Sequence, residues 1–252
     1  MSKTVIENKS VSMLGYLKLI ISYRSLIASF ARRDLKAKYS QTILGLLWAV
    51  IQPIAALTIF YVFFDRLIQL DTGDMSYPVF AFSGMVIWYF FTNIIHLSGN
   101  SLLLNQDLIQ KIYFPKIILV ISRAMVSLVE LMISFLILVI IMLVTNSDFH
   151  WSILGAPLAF VLVLIFGLSI SIWLSAISIR HRDLQHLIPY LTNYGIWLTP
   201  VFYPVTIIPE VYRDILFYLN PVAGAIEMFR SFILNTPFNW MYLISFIPVV
   251  IL

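Results

Sequence analysis

The sequence predicts an all-α integral membrane protein of six transmembrane helices. An amphipathic helix at the membrane interface precedes them, and short re-entrant helices lie between the fifth and sixth. Three observations carry this. Of 252 residues, 61% are hydrophobic and 11% charged, with a mean hydropathy of +0.94. Soluble domains carry about 25% charged residues, and a soluble chain this apolar would have no polar surface for water. Apolar runs of about 20 residues, the length a helix needs to cross a bilayer, recur along the chain. Lysine and arginine gather on alternate connections between those runs, thirteen on one side against three on the other.

Residues 12–38 form the first element. Lys18, Ser22, Ser25, Ser29, Arg32 and Lys36 recur at spacings of 4, 3, 4, 3 and 4, one stripe of a helix. Leu17, Ile20, Ile27 and Phe30 take the remaining surface. The pattern fits a helix lying at the cytoplasmic interface with its basic stripe toward phosphate headgroups. Packing on a soluble partner would use the same pattern, and both can hold. The spans follow at 42–64, 77–99, 117–145, 151–179 and 187–205. A last apolar run, 240–252, has thirteen residues, too few for a core of ~30 Å. It is expected to continue across the membrane and end inside.

Orientation follows from the cations. Lys3, Lys9, Lys18, Arg24, Arg32, Arg33, Lys36 and Lys38 precede span 1. Lys111, Lys116 and Arg123 lie between spans 2 and 3, and Arg180 and Arg182 between spans 4 and 5. The other side holds only Arg66, Arg213 and Arg230, so the N-terminus is predicted to be cytoplasmic. The first apolar run begins too late for a cleaved signal peptide, so span 1 is retained. From Tyr203 to Asn239 the chain is moderately apolar but broken by Pro204, Pro209, Pro221 and Pro237. Its two halves suit short helices at 206–237, dipping into the outer leaflet to shape a pathway mouth or resting outside as a cap. Broken backbone at membrane depth must be buried in protein or line a cavity. No repeat or linker divides the chain, so residues 1–252 read as one membrane domain.

Signals of enzyme chemistry are nearly absent. The chain has 0 cysteines, which removes thiolate chemistry and disulfides. It has no GxxxxGK[ST] phosphate loop and no GxSxG turn. Its 4 histidines include no HExxH, and no metal site is expected. Glu130 is the acidic residue deep within a span, with Arg123 two turns before it on the same face. An intramembrane ionisable group is a functional hypothesis by default. The structural alternative has Arg123 reaching the interface while Glu130 bonds a neighbouring helix. Gly167, Ser171 and Ser175 repeat every four residues, a stripe that lets helices approach within one subunit or between two copies. Tyr190, Tyr194 and Trp197 share a face of span 5, with Tyr203 nearby. The stripe serves as packing, as an interfacial belt, or as a surface on which sugar C–H faces stack. Ser101–Lys116 holds a short helical pattern on the inner side, either a hairpin loop or a projection into a cytoplasmic motor.

The segment from Arg33 to Pro53 resembles the opening signature of ABC-2-type transporter permeases of the polysaccharide-export family, which handle O-antigen, capsule and teichoic acid. The signature is R-[DE]-L-K-x-[KR]-Y followed by LGxxWxxxxP. It is met by Arg33, Asp34, Leu35, Lys36, Lys38 and Tyr39, then Leu44, Gly45, Trp48 and Pro53. Ile179–Tyr190, Leu198–Pro204 and Asn220–Arg230 resemble the family's segments around span 5 and its outer re-entrant helices. The resemblance covers nearly the whole chain in order; the end of span 6 and a cytoplasmic tail depart from it.

The resemblance implies a permease subunit in a bacterial inner membrane, working as a homodimer with two copies of a separate ABC ATPase. ATP and Mg would bind in that partner, with no cofactor in this chain and no nucleic acid involved. The substrate would be a lipid-linked, O-antigen-like polysaccharide. Coupling to the ATPase would fall at Asp107, Leu108, Gln110, Lys111, Tyr113 and Phe114. Arg33, Lys36, Lys38 and Tyr39 would stand at the cytoplasmic mouth, where cations suit a lipid phosphate; anchoring to bilayer headgroups explains the same charges. Spans 1 and 5 would line the path through Trp48, Tyr190, Tyr194, Trp197 and Tyr203. Pro53, Arg123, Glu130, Gly167, Ser171 and Ser175 are expected to be structural. Two alternatives stay open: an ABC-2 permease for teichoic acid, capsule, lipid or drug, and an intramembrane enzyme acting on a polyprenyl phosphate.

Overall fold

Two helices precede the first span. The computed structural model describes residues 13–40, 43–73 and 75–246, and shows α-, 3-10 and π-helices with no strand among them. The readings at Lys3, Lys9, Thr42 and 247–252 lie outside the described residues. The single helix expected over 12–38 is two, α1 (Met13–Ser22) and α2 (Arg24–Tyr39), parted at Tyr23. All six residues of the polar stripe are exposed. On the other side Tyr23, Leu26, Ile27 and Phe30 pack against buried Leu102, Phe114, Ile118 and Leu119. The start of the chain's own third span and the loop before it therefore cover part of the apolar face that the sequence left to the membrane interface or a soluble partner.

Gly45, at φ +51°, turns the chain out of α2. A 3-10 turn (Gly45–Leu47) then leads into α3 (Trp48–Phe60) and a π-helical stretch (Tyr61–Leu67). Pro53 inside α3 has no N–H to give the ladder and crowds the carbonyl one turn back. The π-register is visible where Ile68 N–H donates to the Phe63 carbonyl at 3.1 Å. Only 11% of this first span's most apolar window is buried in the subunit.

Span 2, α4 (Tyr77–Gly99), is the opposite case, with 83% of its window buried. It is apolar all round, as a helix enclosed by other helices must be. It packs against α7 (Ile117–Val144), α8 (Ala156–Ser178) and α11 (Pro221–Leu234). On α8, Gly167, Ser171 and Ser175 are all buried. A Cβ on Gly167 would lie 3.0 Å from Ile94, and Ser171 Oγ donates to the Ile94 carbonyl at 3.3 Å. The small-residue stripe thus joins spans 2 and 4 within one subunit. Between α4 and α7 the chain makes two short helices, α5 (Ser101–Leu104) and α6 (Gln106–Lys111).

The fifth span differs from expectation. Its helix, α9, runs Leu184–Leu198 rather than 187–205. Pro200 drives the residue before it into extended backbone, and Thr199 (φ −102°, ψ 138°) ends the helix there. Fifteen residues reach about 22 Å, short of a full crossing. Beyond it come α10 (Glu210–Leu219) and α11, whose N-cap Asn220 accepts from the Ala223 N–H. Helix α11 is almost wholly buried and inserts among α4, α8 and the 3-10 segment Trp240–Phe246. Helix α10 keeps Val211, Tyr212, Ile215 and Tyr218 exposed and covers the outside. Of the two outer helices, one is an insertion into the protein and one a cover. In all, four described helical segments are long and apolar enough to cross a membrane: Gly45–Leu67, Tyr77–Gly99, Ile117–Val144 and Trp151–Ser178.

Candidate functional site

The cations at the end of α2 are tied into the subunit. Lys38 Nζ reaches Glu130 Oε1 at 2.5 Å, and the Tyr39 hydroxyl donates to the same oxygen at 2.6 Å. Asn93 Nδ2 donates to Glu130 Oε2 at 2.9 Å. One turn earlier Arg33 pairs with Asp34 at 2.8 Å and donates to Asn105 Oδ1 at 3.1 Å. Asp34 in turn faces Arg123 Nε at 3.2 Å. Both of those atoms are buried and have no hydrogen-bond partner, so their contact is an ion pair without a bond's alignment. Arg123 and Glu130, which share a face of α7, therefore serve different partners, and both hold α2 onto the helices behind it. Burial, then the bond to Glu130, pushes the Tyr39 phenol above its ordinary value of 10.0. It stays protonated, and so a donor, throughout the neutral range. Lys36 and Arg32 point outward.

Beside this network lies a cavity of about 690 Å³ between α3, α4 and α9, floored by Glu130 and Ser134 of α7. Its aromatic walls are Tyr39, Trp48, Phe60, Trp88, Tyr89 and Trp197; its polar groups are Lys38, Gln52, Thr92, Asn93, His96, Thr192 and Asn193. His96 Nε2 and Thr192 Oγ1 meet at 2.7 Å and tie α4 to α9. A Cβ on Gly195 would stand 2.9 Å from Trp88, so the absence of a side chain lets α9 come that close. Large rings flanking amides and hydroxyls form a surface that can stack on apolar ring faces and bond hydroxyls together.

Of the residues the sequence put on a path, Trp48 and Trp197 line this cavity; Pro53, which was expected to be structural, is also in its wall. Tyr190 and Tyr194 do not; at 62% and 67% exposure they face outward from the subunit. Tyr203 turns its hydroxyl to the Trp197 carbonyl at 3.1 Å. Asn93, His96, Thr192, Asn193 and Gln52 were missed by sequence reasoning. The signal was there, since polar side chains in apolar spans are costly unless employed.

In the loop between spans 2 and 3 Asp107, Gln110, Lys111 and Tyr113 are exposed, with Tyr113 at 82%. Leu108 packs against the cluster under α2, and Phe114 is buried in it with its ring 5.8 Å from that of Phe30. As an anchor for an outside partner, Phe114 is corrected: it points into its own subunit. At the opposite end of the helices Arg230 is buried and bonds the carbonyls of Phe80, Pro200 and Val201, with Glu227 Oε1 at 2.8 Å and Phe80 stacked at 3.7 Å. It closes the turn that ends α9. No group of three or more His, Cys, Asp or Glu that could hold a metal exists among the described residues.

Residues 25–234, most of the chain, match the family model of the ABC-2 type transporter. The chain belongs to the ABC-2 type transporter family. This ABC-2 chain is 26% identical over 220 residues to the O-antigen export system permease protein RfbA of Myxococcus xanthus, covering 87% of this chain and 84% of that protein. It is 27% identical over 232 residues to RfbA of Klebsiella pneumoniae, covering 91% and 86%. It is 24% identical over 200 residues to the polysialic acid transport protein KpsM of Escherichia coli, covering 79% and 77%. The matched stretch holds α2, the cavity and the two outer helices of the ABC-2 chain together.

Proposed function

We propose that this chain is the membrane-spanning permease subunit of an ATP-driven exporter of lipid-linked polysaccharide. The observation that carries it is the cavity between spans 1, 2 and 5, with indole and phenol walls, amide and hydroxyl groups between them, and Lys38 at its inner end. A glycan offers C–H faces and hydroxyls to such walls, and its lipid phosphate offers charge to the cation. The names of the relatives support the substrate class. Two copies would work as a homodimer with two copies of a separate ATPase, and the exposed side of the inner loop (Asp107, Gln110, Lys111, Tyr113) would meet that ATPase. Helix α9 with its turn, and the run from Trp240, would complete six crossings. The membrane would be a bacterial inner membrane with the N-terminus inside, as the cation asymmetry supports.

The test replaces Trp48 and Trp197 together by alanine in cells that depend on this transporter. Surface polysaccharide is expected to fall at least roughly tenfold, a loss of about 1.4 kcal/mol or more of useful interaction, while the partner ATPase still co-purifies. Undiminished surface polysaccharide would remove the cavity from the path. Purification of the wild-type chain without any nucleotide-binding ATPase would remove the transporter reading.

A further inference from the structure

We infer that Glu130 is a selectivity residue: it holds Lys38 against singly charged lipid headgroups and releases it to a terminal phosphate or diphosphate bearing more than one negative charge. The inference rests on the reading of this cavity as the place where a lipid phosphate enters. A membrane protein that must bind a rare lipid phosphate works in a sea of bilayer phospholipids, each with a phosphodiester carrying one charge. A free cationic site at the interface would fill with them.

The geometry supplies a competitor. Three donors from two elements converge on one carboxylate: Lys38 and Tyr39 from the end of α2, and Asn93 from span 2. The carboxylate itself sits on span 3, with 9% of its side chain exposed against 40% for Lys38. Both groups line the cavity, and the ammonium is much the more exposed of the two. The lysine stem is long and flexible, so Nζ can swing toward the mouth without α2 leaving its seat. When it swings, Glu130 keeps the Tyr39 hydroxyl and the Asn93 amide and is not left bare. Withdrawing the ammonium still costs an ion pair in a low-dielectric setting. A singly charged headgroup replaces one carboxylate charge with one equal charge and gains little. A phosphate monoester, with a charge of about −1.5 to −2 at neutral pH, gains more, and a diphosphate offers further oxygens to Lys38 and to Gln52 nearby on the wall. Specificity of this kind is a difference between two affinities, set by what the wrong ligand must displace.

The experiment uses the full chain, purified with its partner subunits and reconstituted in nanodiscs of a zwitterionic phospholipid. Binding of a polyprenyl diphosphate is measured with and without phosphatidylglycerol as competitor. Wild type is expected to bind the diphosphate with little effect from phosphatidylglycerol. In Glu130→Gln the competitor should become effective, so that selectivity for the diphosphate falls roughly tenfold or more, while binding of phosphatidylglycerol itself rises. A gain of affinity for the wrong lipid is a change that damaged packing does not produce. Glu130→Asp, which keeps the charge, should retain most of the selectivity. Unchanged selectivity in Glu130→Gln, equal losses in both variants, or failure of Glu130→Gln to fold would each overturn the inference, the last by showing the pair to be purely structural. Lys38→Met separates the two levels. Loss of diphosphate binding there with selectivity unmoved in Glu130→Gln sinks the role of Glu130 alone. Full diphosphate binding by Lys38→Met sinks the phosphate reading of the site itself.

Discussion

Single residues decide how this molecule spends its few charges. Glu130, Arg123 and Asp34 are each nearly enclosed, and each is matched by an opposite charge from another helix. An unmatched charge at such sites would cost several kcal/mol, so these pairs fix where α2 sits. Arg230 does the same with three carbonyl oxygens and a hydroxyl, four of its five hydrogen bonds closing on the turn after α9 and the first turns of α4, and the fifth on Glu227 of its own helix. Gly84 makes room for it: a Cβ there would stand 2.8 Å from Arg230 Nη2 and 2.8 Å from the Val201 carbonyl oxygen. Gly84→Ala is therefore expected to destabilise the protein by about 1–3 kcal/mol, the usual cost of overpacking. A lowered unfolding temperature in detergent is the reading to look for; an unchanged one would mean the guanidinium is not held where these distances put it. Glu130 and Arg123 were visible in the sequence as charges in an apolar span. Their partners were not, because Lys38 is 92 residues away from Glu130 along the chain and only packing brings them together.

At the level of elements, the loop between spans 2 and 3 and α2 behave as one unit. The aromatic pair Tyr113–Phe114 splits its work, one ring outward and one buried against Phe30. Two substitutions should separate the roles. Phe114→Ala is expected to cost about 3 kcal/mol, the lower end for emptying a buried aromatic site, and to loosen α2, read as faster proteolysis near Tyr23. Tyr113→Ala should leave thermal stability unchanged while weakening retention of the partner ATPase on purification. Equal loss of stability in both variants would contradict the assignment. The sequence showed an amphipathic pattern for residues 12–38 and a short helix after span 2. It did not show that the two elements cover each other, because an apolar face reads alike whether it meets lipid or protein. The end of α9 was misread for a local reason. Hydropathy continues smoothly through Val201 and Phe202, yet Pro200 stops the helix before them.

Across the whole molecule the contrast lies between spans 1 and 2. Span 2 is enclosed, while span 1 shows most of its surface outside the subunit, including Ile51, Ile54, Ile59 and Phe63. The outward faces of Tyr190 and Tyr194 on α9 are likewise open. Lipid or a second copy can cover such surfaces, and the homodimer reading selects the second for part of them. The chain has 0 cysteines, so single cysteines introduced at Ile51, Ile54, Ile59 and Phe63 give a clean map. At least one is expected to form an oxidative cross-link between copies in native membranes. Lipid-like accessibility with no cross-link at all four would place span 1 against the bilayer and move the dimer contact elsewhere. The sequence alone determined that this chain lives in a membrane, how its cations divide between alternate connections, and where four of its crossings run. Those properties depend on local composition and charge, summed over windows of about 20 residues. The packing alone decided which helix is central, that Lys38 and Arg33 are held by Glu130 and Asn105, and that spans 1, 2 and 5 leave a cavity between them. Contacts between residues far apart in the chain leave no periodic trace in it, and in an apolar chain every helix face is equally willing to be buried.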